Sequence, residues 1–190
     1  MGAYLMEKFY KIKIGQCERQ LPLIKGDKFS YYSFNMLGDT ELNIEAAKEV
    51  SRLVVDSDVV VTVESKAIAL VQEVSALLKH PRYVVIRKSK KSYMKNEVSV
   101  SGNTIISGDA NYYIDGADVE YLKNKRIAVV DDVVSTCGTI DAIYRLLDKC
   151  GLQIFKIACV LCEGKVTTAF KGIEVASCGF IPLLENNNDR

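Results

Sequence analysis

Two adjacent carboxylates, Asp131 and Asp132, follow the apolar run 127–130, which is typical of a buried strand. The turn after them carries hydroxyl groups and a glycine and leads into the helical pattern 140–149. The candidate binding residues of this turn are Ser135, Thr136, Cys137, Gly138 and Thr139. Free N–H groups at a helix N-terminus bind phosphate, while paired acids suit vicinal sugar hydroxyls or a divalent cation. The pattern therefore predicts a site for a phosphorylated ribose; the alternative is that the acids only cap the next helix.

A second candidate anion site follows the β-branched run 58–63. Its residues are Glu64, Ser65, Lys66 and Ala67. They stand where a strand ends and the helical pattern 66–79 begins, so backbone N–H groups there could meet an anion. The alternative is that Ser65 is an ordinary N-cap of this helix. The placement of the segment upstream of the paired acids favours anion binding.

Four cations within five residues follow the predicted strand 83–86. They are Arg87, Lys88, Lys90 and Lys91. A charge run of this kind is usually a solvated face. Because the strand would end beside residues 64–67, the cations could instead neutralise a highly charged anion bound there. We expect Arg87, Lys88 and Lys91 to have this role.

Strands and helices alternate along the chain, which predicts an α/β fold with a mainly parallel central sheet flanked by helices. The polar stretch 88–125 is a long excursion of the kind that is usually functional, and weak alternation in it indicates a hairpin. A polar tail, 185–190, comes last. The expected strands are 9–14, 29–36, 58–63, 83–86, 127–130, 154–161 and 173–176, and the expected helices begin at 39–40, 66 and 140.

At 190 residues, of which 48% are hydrophobic, the chain is expected to form a single domain, 1–190. Its 25 basic and 24 acidic residues nearly cancel, so we expect no nucleic-acid or membrane partner. No apolar run is long enough to cross a bilayer, and a cytoplasmic location is the default. Cys159 and Cys162 have C-x-x-C spacing but lie in an apolar run, and His80 is the single histidine. Buried thiols are therefore expected rather than a zinc site.

Three segments between residues 39 and 161 resemble motifs of the type I phosphoribosyltransferases, in the order of that family. The segment 127–139 is similar to the motif that binds 5-phosphoribosyl pyrophosphate (PRPP): an apolar strand, Asp-Asp, two apolar residues, and Thr-Gly-Gly-Thr or a close variant. Cys137 stands where the family usually has Gly, which is unfavourable if the turn needs a positive φ. Residues 64–67 are similar to the Glu-Ser-Arg-Gly loop of adenine-type members, and 86–88 to their Ile-Arg-Lys segment.

The resemblance implies transfer of 5-phosphoribose from PRPP to a nitrogen of a base, with pyrophosphate leaving. It implies that Asp131 and Asp132 hold the 2′- and 3′-hydroxyls, directly or through Mg²⁺ that is bound mainly by substrate oxygens. Residues 135–139 would hold the 5′-phosphate. The expected pyrophosphate-binding residues are Glu64, Ser65, Lys66, Ala67, Arg87, Lys88 and Lys91.

The resemblance also implies a small hood, made of N- and C-terminal segments around a core at about 39–178. A mobile loop hairpin is expected at about 90–118, and the hood is expected to include the segments 31–37 and 163–170. In this family, the hood normally sets base specificity, and the mobile loop closes over the site and excludes water. A homodimer is expected from the family alone.

The base is expected to be a purine, used in nucleotide salvage. Ser135 stands where hypoxanthine-guanine members carry an Asp that is proposed to handle a proton of the base. A serine hydroxyl cannot act as that base near neutral pH without an activating neighbour, which makes adenine the first choice. Xanthine or guanine is the alternative, because Lys165 could donate to a 6-oxo group.

A PRPP-binding regulator with little turnover is a different functional class on the same fold. Such regulators usually add a DNA-binding helical domain, for which this chain has no spare segment. We therefore rank a Mg²⁺-dependent enzyme above a regulator, and both above a redox or zinc protein.

Overall fold

The computed structural model describes residues 8–104 and 108–186. No helix within these ranges is long and apolar enough to span a membrane. In chain order the elements are β1 (Phe9–Ile14), β2 (Cys17–Lys25), β3 (Phe29–Tyr32), α1 (Thr40–Leu53), β4 (Val59–Val63), α2 (Ile68–Leu77), β5 (Val84–Ile86), β6 (Val98–Thr104), β7 (Gly108–Ile114), α3 (Gly116–Leu122), β8 (Ile127–Val134), α4 (Gly138–Lys149), β9 (Ile154–Glu163), β10 (Ala169–Phe170), β11 (Ile173–Ile181) and β12 (Leu183–Glu185).

The central sheet has the strand order β10-β11-β9-β8-β4-β5. Strands β5, β4, β8, β9 and β11 run parallel, and the short edge strand β10 is antiparallel to β11. Parallel sheets are covered on both faces, so their strands read as continuous apolar runs rather than alternating ones. All five residues of β4 are buried, as are the first four of β8. The predicted α/β fold with a mainly parallel sheet is confirmed.

Two apolar clusters fill the two faces of this sheet. Helices α1 and α2 pack on one face through residues such as Val50 and Val71, together with side chains of the N-terminal strands. Helices α3 and α4 and strand β7 pack on the other face, with Leu122 and Ile143 among the buried residues. Because both faces are apolar, polar chemistry is confined to the ends of the strands.

Helix α1 begins at the predicted position. Asp39 Oδ1 accepts a hydrogen bond from Leu42 N at 3.1 Å and caps the helix. Arg19 of β2 lies against this cap, with its Nε 2.7 Å from Asp39 Oδ2 and its Nη2 2.8 Å from Glu41 Oε2. The Arg19 guanidinium holds the pKa of Asp39 below its ordinary value. These ion pairs join β2 to the start of α1.

A small antiparallel sheet, β1-β2-β3-β12, combines N-terminal strands with the last described strand, and its role as the hood stays a prediction. Strand β2 was not predicted, because Pro22 is typical of a turn. Pro22 lies opposite Ser33, just beyond the end of β3, and its carbonyl accepts from Ser33 N at 2.9 Å. The N–H that Pro22 lacks would face this end of the ladder, where its loss leaves few strand hydrogen bonds unmade. Strand β3 is also shorter than predicted, and β12 takes Glu185 from the expected polar tail, of which 187–190 lie outside the described residues.

Strands β6 and β7 form the predicted hairpin, and its base is packed into the core. Tyr112 and Ile114 of β7 are 1% and 0% exposed. Gly102 of β6 lies so close to its neighbours that an added Cβ would stand 2.8 Å from Tyr112 Cε2 and 2.9 Å from Ala142 Cβ of α4. This base therefore belongs to the core, while the mobile loop expected at about 90–118 stays a prediction.

Helix α3 lies in the polar stretch 88–125 and was not predicted. Asp115 caps it, accepting from Ala117 N at 3.2 Å, and its last residue, Leu122, is fully buried. A helix of two turns carries too few apolar positions to produce a clear helical period in the sequence.

We predict that Gly102→Ala destabilises the protein, because the added methyl group overpacks the contact between β6 and α4. Overpacking of this kind costs about 1–3 kcal/mol. Ser101→Ala, at the exposed neighbouring position, is the control and should change the free energy of unfolding by less than about 0.5 kcal/mol. Urea unfolding followed by circular dichroism measures both; equal stability of the two variants would show that the hairpin base is not tightly packed.

Candidate active site

The candidate residues meet where the strand order of the central sheet reverses. From β4 the chain moves to β5 on one side and later crosses to β8 on the other. In open parallel sheets such a reversal leaves a crevice at the carboxyl ends of the two strands, where ligands bind. Strands β4 and β8 are direct neighbours, with Val59 paired to Ile127 and Val61 to Val129. The turns after β4 and β8 therefore lie side by side at this crevice.

The turn between β8 and α4 leaves backbone donors free. Cys137 precedes the helix with a φ of 62°, and its carbonyl accepts from Asp141 N at 2.7 Å. No side chain of the described residues caps α4, so its first N–H groups, from Gly138 onward, lack acceptors. Ser135 and Thr139 are half-buried and Thr136 is exposed beside these groups. The arrangement suits a phosphate group.

Cys137 has the positive φ that is unfavourable for a residue other than glycine. Its φ lies in the left-handed region, where the Cβ of a non-glycine residue is crowded. Its side chain packs partly against the apolar cluster of α4. Burial, with the neighbouring Cys162 thiol, raises the pKa of Cys137, so the thiol stays neutral and adds no negative charge to the turn.

The two acids lie within β8, which continues to Val134 instead of ending at residue 130 as predicted, and they are short of partners. Asp131 Oδ1 accepts from Asp132 N at 2.9 Å. Asp132 is 7% exposed, and its Oδ2 has no hydrogen-bond partner within the described part of the chain. Burial, followed by the adjacent Asp132 carboxylate, raises the pKa of Asp131 well above its ordinary value, although the Lys88 ammonium acts in the opposite direction. Such a pair needs hydroxyl donors or a cation to stay ionised.

These oxygen donors fit a Mg²⁺ ion that has few protein ligands. Magnesium prefers carboxylate oxygens and usually keeps waters or substrate oxygens in the rest of its shell. The unpartnered Asp132 Oδ2 is available for such a contact. Within residues 8–104 and 108–186, no group of three or more His, Cys, Asp or Glu side chains is arranged to hold a metal ion by itself.

The turn after β4 also leads to an uncapped helix. Helix α2 begins after Ala67, which is fully buried, and no side chain from the described residues caps it. The Ser65 carbonyl, rather than its hydroxyl, accepts from Ile68 N at 3.3 Å. Ser65 and Lys66 are exposed, and the peptide bond between Glu64 and Ser65 is cis. The N-cap alternative for Ser65 therefore does not describe this turn.

Glu64 and Arg87 are paired with each other at the rim of the crevice. Arg87 Nε donates to Glu64 Oε2 at 2.6 Å, and Lys88 N donates to Glu64 Oε1 at 2.6 Å. Burial raises the pKa of Glu64, but the Lys88 N–H and the Arg87 guanidinium outweigh it, so that the pKa is lowered overall. Arg87 also donates from Nη1 to the Tyr93 hydroxyl at 3.2 Å. No local pattern in the sequence indicates this contact with Tyr93.

The other cations of the run differ in their partners. Lys90 pairs with Glu97. Lys91 Nζ donates to Ser89 Oγ at 2.6 Å, which leaves its charge unneutralised. Lys88 is exposed and, like Lys66, is in no ion pair with a described residue. Three of the predicted cations therefore keep their positive charge available to an anion.

Lys165 lies in the turn after β9, beside the small sheet. It is exposed, and its backbone N donates to the Glu163 carbonyl at 2.9 Å. The preceding Gly164 stands against Leu183 of β12, whose Cβ would lie 3.1 Å from an added methyl group. Leu183 is paired in turn with Tyr31 of β3. The two predicted hood segments are thus brought together at the carboxyl end of β9.

A comparison with protein families matches residues 35–178 to the phosphoribosyl transferase domain. The chain is 30% identical over 178 residues to the hypoxanthine/guanine phosphoribosyltransferase of Methanobacterium lacus, covering 89% of each chain. It is 29% identical over 174 residues to the protein of the same name from Methanococcus voltae, covering 87% of this chain and 89% of that one.

Among solved structures, the chain is similar to the adenine phosphoribosyltransferase of Thermoanaerobacter pseudethanolicus. The TM-score is 0.65 with 17% identity, covering 84% of this chain and 95% of that one. At this level of identity the likeness concerns the fold.

We predict that Asp131→Asn stabilises the ligand-free protein at pH 7. Because the folded state raises the pKa of Asp131, it binds the proton more tightly than the unfolded chain does, and wild-type stability falls as pH rises from about 4 to that raised pKa. The variant has no carboxyl proton to lose at this position, so it should unfold at a higher temperature than wild type at pH 7, with little difference between the two below about pH 4.

Thermal unfolding across this pH range measures the effect. Asp148→Asn, which changes an exposed carboxylate of α4, is the matched control and should stay within about 0.5 kcal/mol of wild type. An Asp131→Asn variant that is no more stable than wild type at pH 7 would contradict the raised pKa of Asp131 in the folded protein.

We also predict that Cys137→Gly is tolerated, whereas Cys137→Val is not. Glycine removes the left-handed cost of about 1–2 kcal/mol but adds about 0.5–1 kcal/mol of unfolded-state entropy, so the net change should be small. A β-branched side chain is strongly disfavoured at positive φ. Urea unfolding should place Val well below Gly in stability; the reverse order would mean that the turn does not hold a positive φ.

Proposed function

The chain belongs to the phosphoribosyl transferase domain family, and on this premise we propose that it transfers 5-phosphoribose from PRPP to a purine base and releases pyrophosphate. One observation supports this most directly. Two neighbouring parallel strands, β4 and β8, are each followed by a turn and a helix without a side-chain cap, and the paired acids lie in the C-terminal half of β8. PRPP carries two anionic groups joined by a ribose with vicinal hydroxyls, and these groups match the two sets of N–H donors and the acids.

The ribose 5-phosphate half of the substrate is assigned to β8 and α4. The backbone and hydroxyl groups of residues 135–139 bind the 5′-phosphate, and Asp131 and Asp132 bind the ribose hydroxyls. As pyrophosphate leaves, positive charge develops on the ribose in a transition state that resembles an oxocarbenium ion. Carboxylates fixed near the sugar before reaction stabilise that charge without reorganisation.

The pyrophosphate half is assigned to the turn after β4 and to the nearby cations. The uncapped start of α2 offers N–H donors, and Lys66, Lys88 and Lys91 supply unneutralised positive charge. Cations that meet the leaving group stabilise the charge it gains as the glycosidic bond breaks. Roles in pyrophosphate binding for Ser65 and Ala67 remain predictions, whereas the pairing of Glu64 with Arg87 allows a different role for these two residues.

Members of the family generally use a metal ion with PRPP, and we assign Mg²⁺ to this site. Asp131 and Asp132 would hold it, directly or through the ribose hydroxyls. When bound, the ion neutralises charge on the substrate oxygens.

Adenine and the oxopurines are the two candidate bases. Ser135 favours adenine, since no Asp stands at that position to handle a proton of the base. The second candidate rests on Lys165, which is exposed, follows Gly164 in the turn after β9 and can donate to a 6-oxo group. It is also supported by the relative that is 30% identical, which is named for hypoxanthine and guanine. A homodimer, a cytoplasmic location and a role in nucleotide salvage accompany this proposal as predictions.

We predict that the protein releases pyrophosphate from PRPP only when a purine is added with Mg²⁺. The assay offers adenine, hypoxanthine, guanine, xanthine, orotate and uracil one at a time. Adenine is expected to give the highest rate, and release with an oxopurine would instead favour the role of Lys165.

The double variant Asp131→Asn/Asp132→Asn is the control and should lose at least about a hundredfold in kcat/KM. Turnover with orotate or uracil alone would show that the purine assignment is wrong. Binding of PRPP without turnover on any base would favour the regulatory alternative.

A further inference from the structure

We propose that Glu64 and Arg87 are a positioning pair that holds the pyrophosphate turn in place, rather than two groups that bind pyrophosphate themselves. The inference rests on the proposed function, because the turn it positions is the one assigned to pyrophosphate. It assigns the two residues a role that charge and sequence position alone did not indicate.

Glu64 is held from two directions at the end of β4. Its two carboxylate oxygens accept separately, from Arg87 Nε and from Lys88 N, both at 2.6 Å. Its own backbone N donates to the Ile86 carbonyl at 3.0 Å. The side chain and the main chain of Glu64 are therefore both hydrogen-bonded to residues at the end of β5. These bonds fix the start of the turn that follows Glu64.

Arg87 extends the connection to the hairpin. Its backbone N donates to the Tyr113 carbonyl at 2.9 Å, and its carbonyl accepts from Tyr113 N at 2.8 Å. The neighbouring Tyr112 is buried in the core. The guanidinium also donates to the Tyr93 hydroxyl at 3.2 Å. Arg87 therefore joins the end of β4, the hairpin and the segment at Tyr93.

The charges favour positioning over direct binding. A free carboxylate beside a pyrophosphate would repel it, whereas Glu64 paired with Arg87 presents little net charge. The Glu64 side chain is 18% exposed and that of Arg87 is 31% exposed, so the pair is partly shielded from solvent and is stronger than a surface ion pair. Lys66, Lys88 and Lys91 remain to neutralise the anion.

The two possible roles predict opposite effects of Glu64→Gln. If Arg87 binds pyrophosphate directly, removing its competitor frees the guanidinium, and the KM for PRPP falls. If the pair positions the turn, the same change loosens the turn, and the KM rises. Arg87→Lys discriminates further, because lysine keeps the charge but loses the planar fork that reaches Glu64 and Tyr93 together.

The experiment is a double-mutant cycle on the full chain with Glu64→Gln, Arg87→Gln and the double variant. We expect each single variant to raise the KM for PRPP by about tenfold, and the double variant to be no worse than the singles, because either change breaks the same pair. Arg87→Lys should behave like Arg87→Gln. Glu49→Gln, which breaks the ion pair with Arg52 on α1, is the matched control and should leave the KM unchanged.

A lower KM in Glu64→Gln, additive effects in the double variant, or a near wild-type Arg87→Lys would each overturn the proposal. Thermal unfolding of the same variants gives a readout that does not depend on catalysis. The double variant should unfold at the temperature of the less stable single variant, and additive losses would contradict the pairing. If wild type fails to bind PRPP in calorimetry, the proposed function fails, and the unfolding cycle still decides whether the pair fixes the turn.

Discussion

Backbone N–H groups that the fold leaves without acceptors are the constraint on which the site depends. Helices α1 and α3 are capped by the side chains of Asp39 and Asp115. Helices α2 and α4, which follow the neighbouring strands β4 and β8, have no such cap within the described chain. Each missing cap forgoes about 1 kcal/mol. The two helices that lack a cap are those that start at the crevice, so a bound anion can supply the missing acceptors there.

Unsatisfied groups of both signs meet at this crevice. Asp131 and Asp132 lie close together with few donors, while the exposed Lys66 and Lys88 have no carboxylate partner in the described chain. The Lys88 ammonium lowers the pKa of Asp131, but no described salt bridge joins the acids to these cations, because Lys66 and Lys88 lie in the segments after β4 and β5 whereas the acids lie on β8. A ligand that carries hydroxyl groups at its centre and anions at both ends satisfies all of them at once. Functional sites often keep polar and charged groups without partners, at a cost in stability.

Buried strands and helix starts could be predicted from the sequence, because each depends on residues that are consecutive in the chain. The apolar run of β8, the paired acids and the helix after them were all predicted, because strand burial and helix starts are written in consecutive residues. The Asp39 cap was predicted for the same reason. Strand β2 was missed, because Pro22 is acceptable in a strand only where no ladder bond needs its N–H. Here it faces Ser33 beyond the end of β3, and the tertiary structure rather than the local sequence sets that neighbour.

The cation run 87–91 shows the limit of reading charge from sequence. Counting side chains treats all its members alike, whereas the folded chain neutralises Arg87 with Glu64 and Lys90 with Glu97. Glu64 precedes the run and Glu97 follows it, and no local sequence pattern links either acid to its cation. The charge that a ligand meets is the charge left after such pairing, so Lys88 and Lys91 present a positive charge that Glu64 neutralises in Arg87. For this reason, the role of a charged residue in a site follows from its partners in the folded chain.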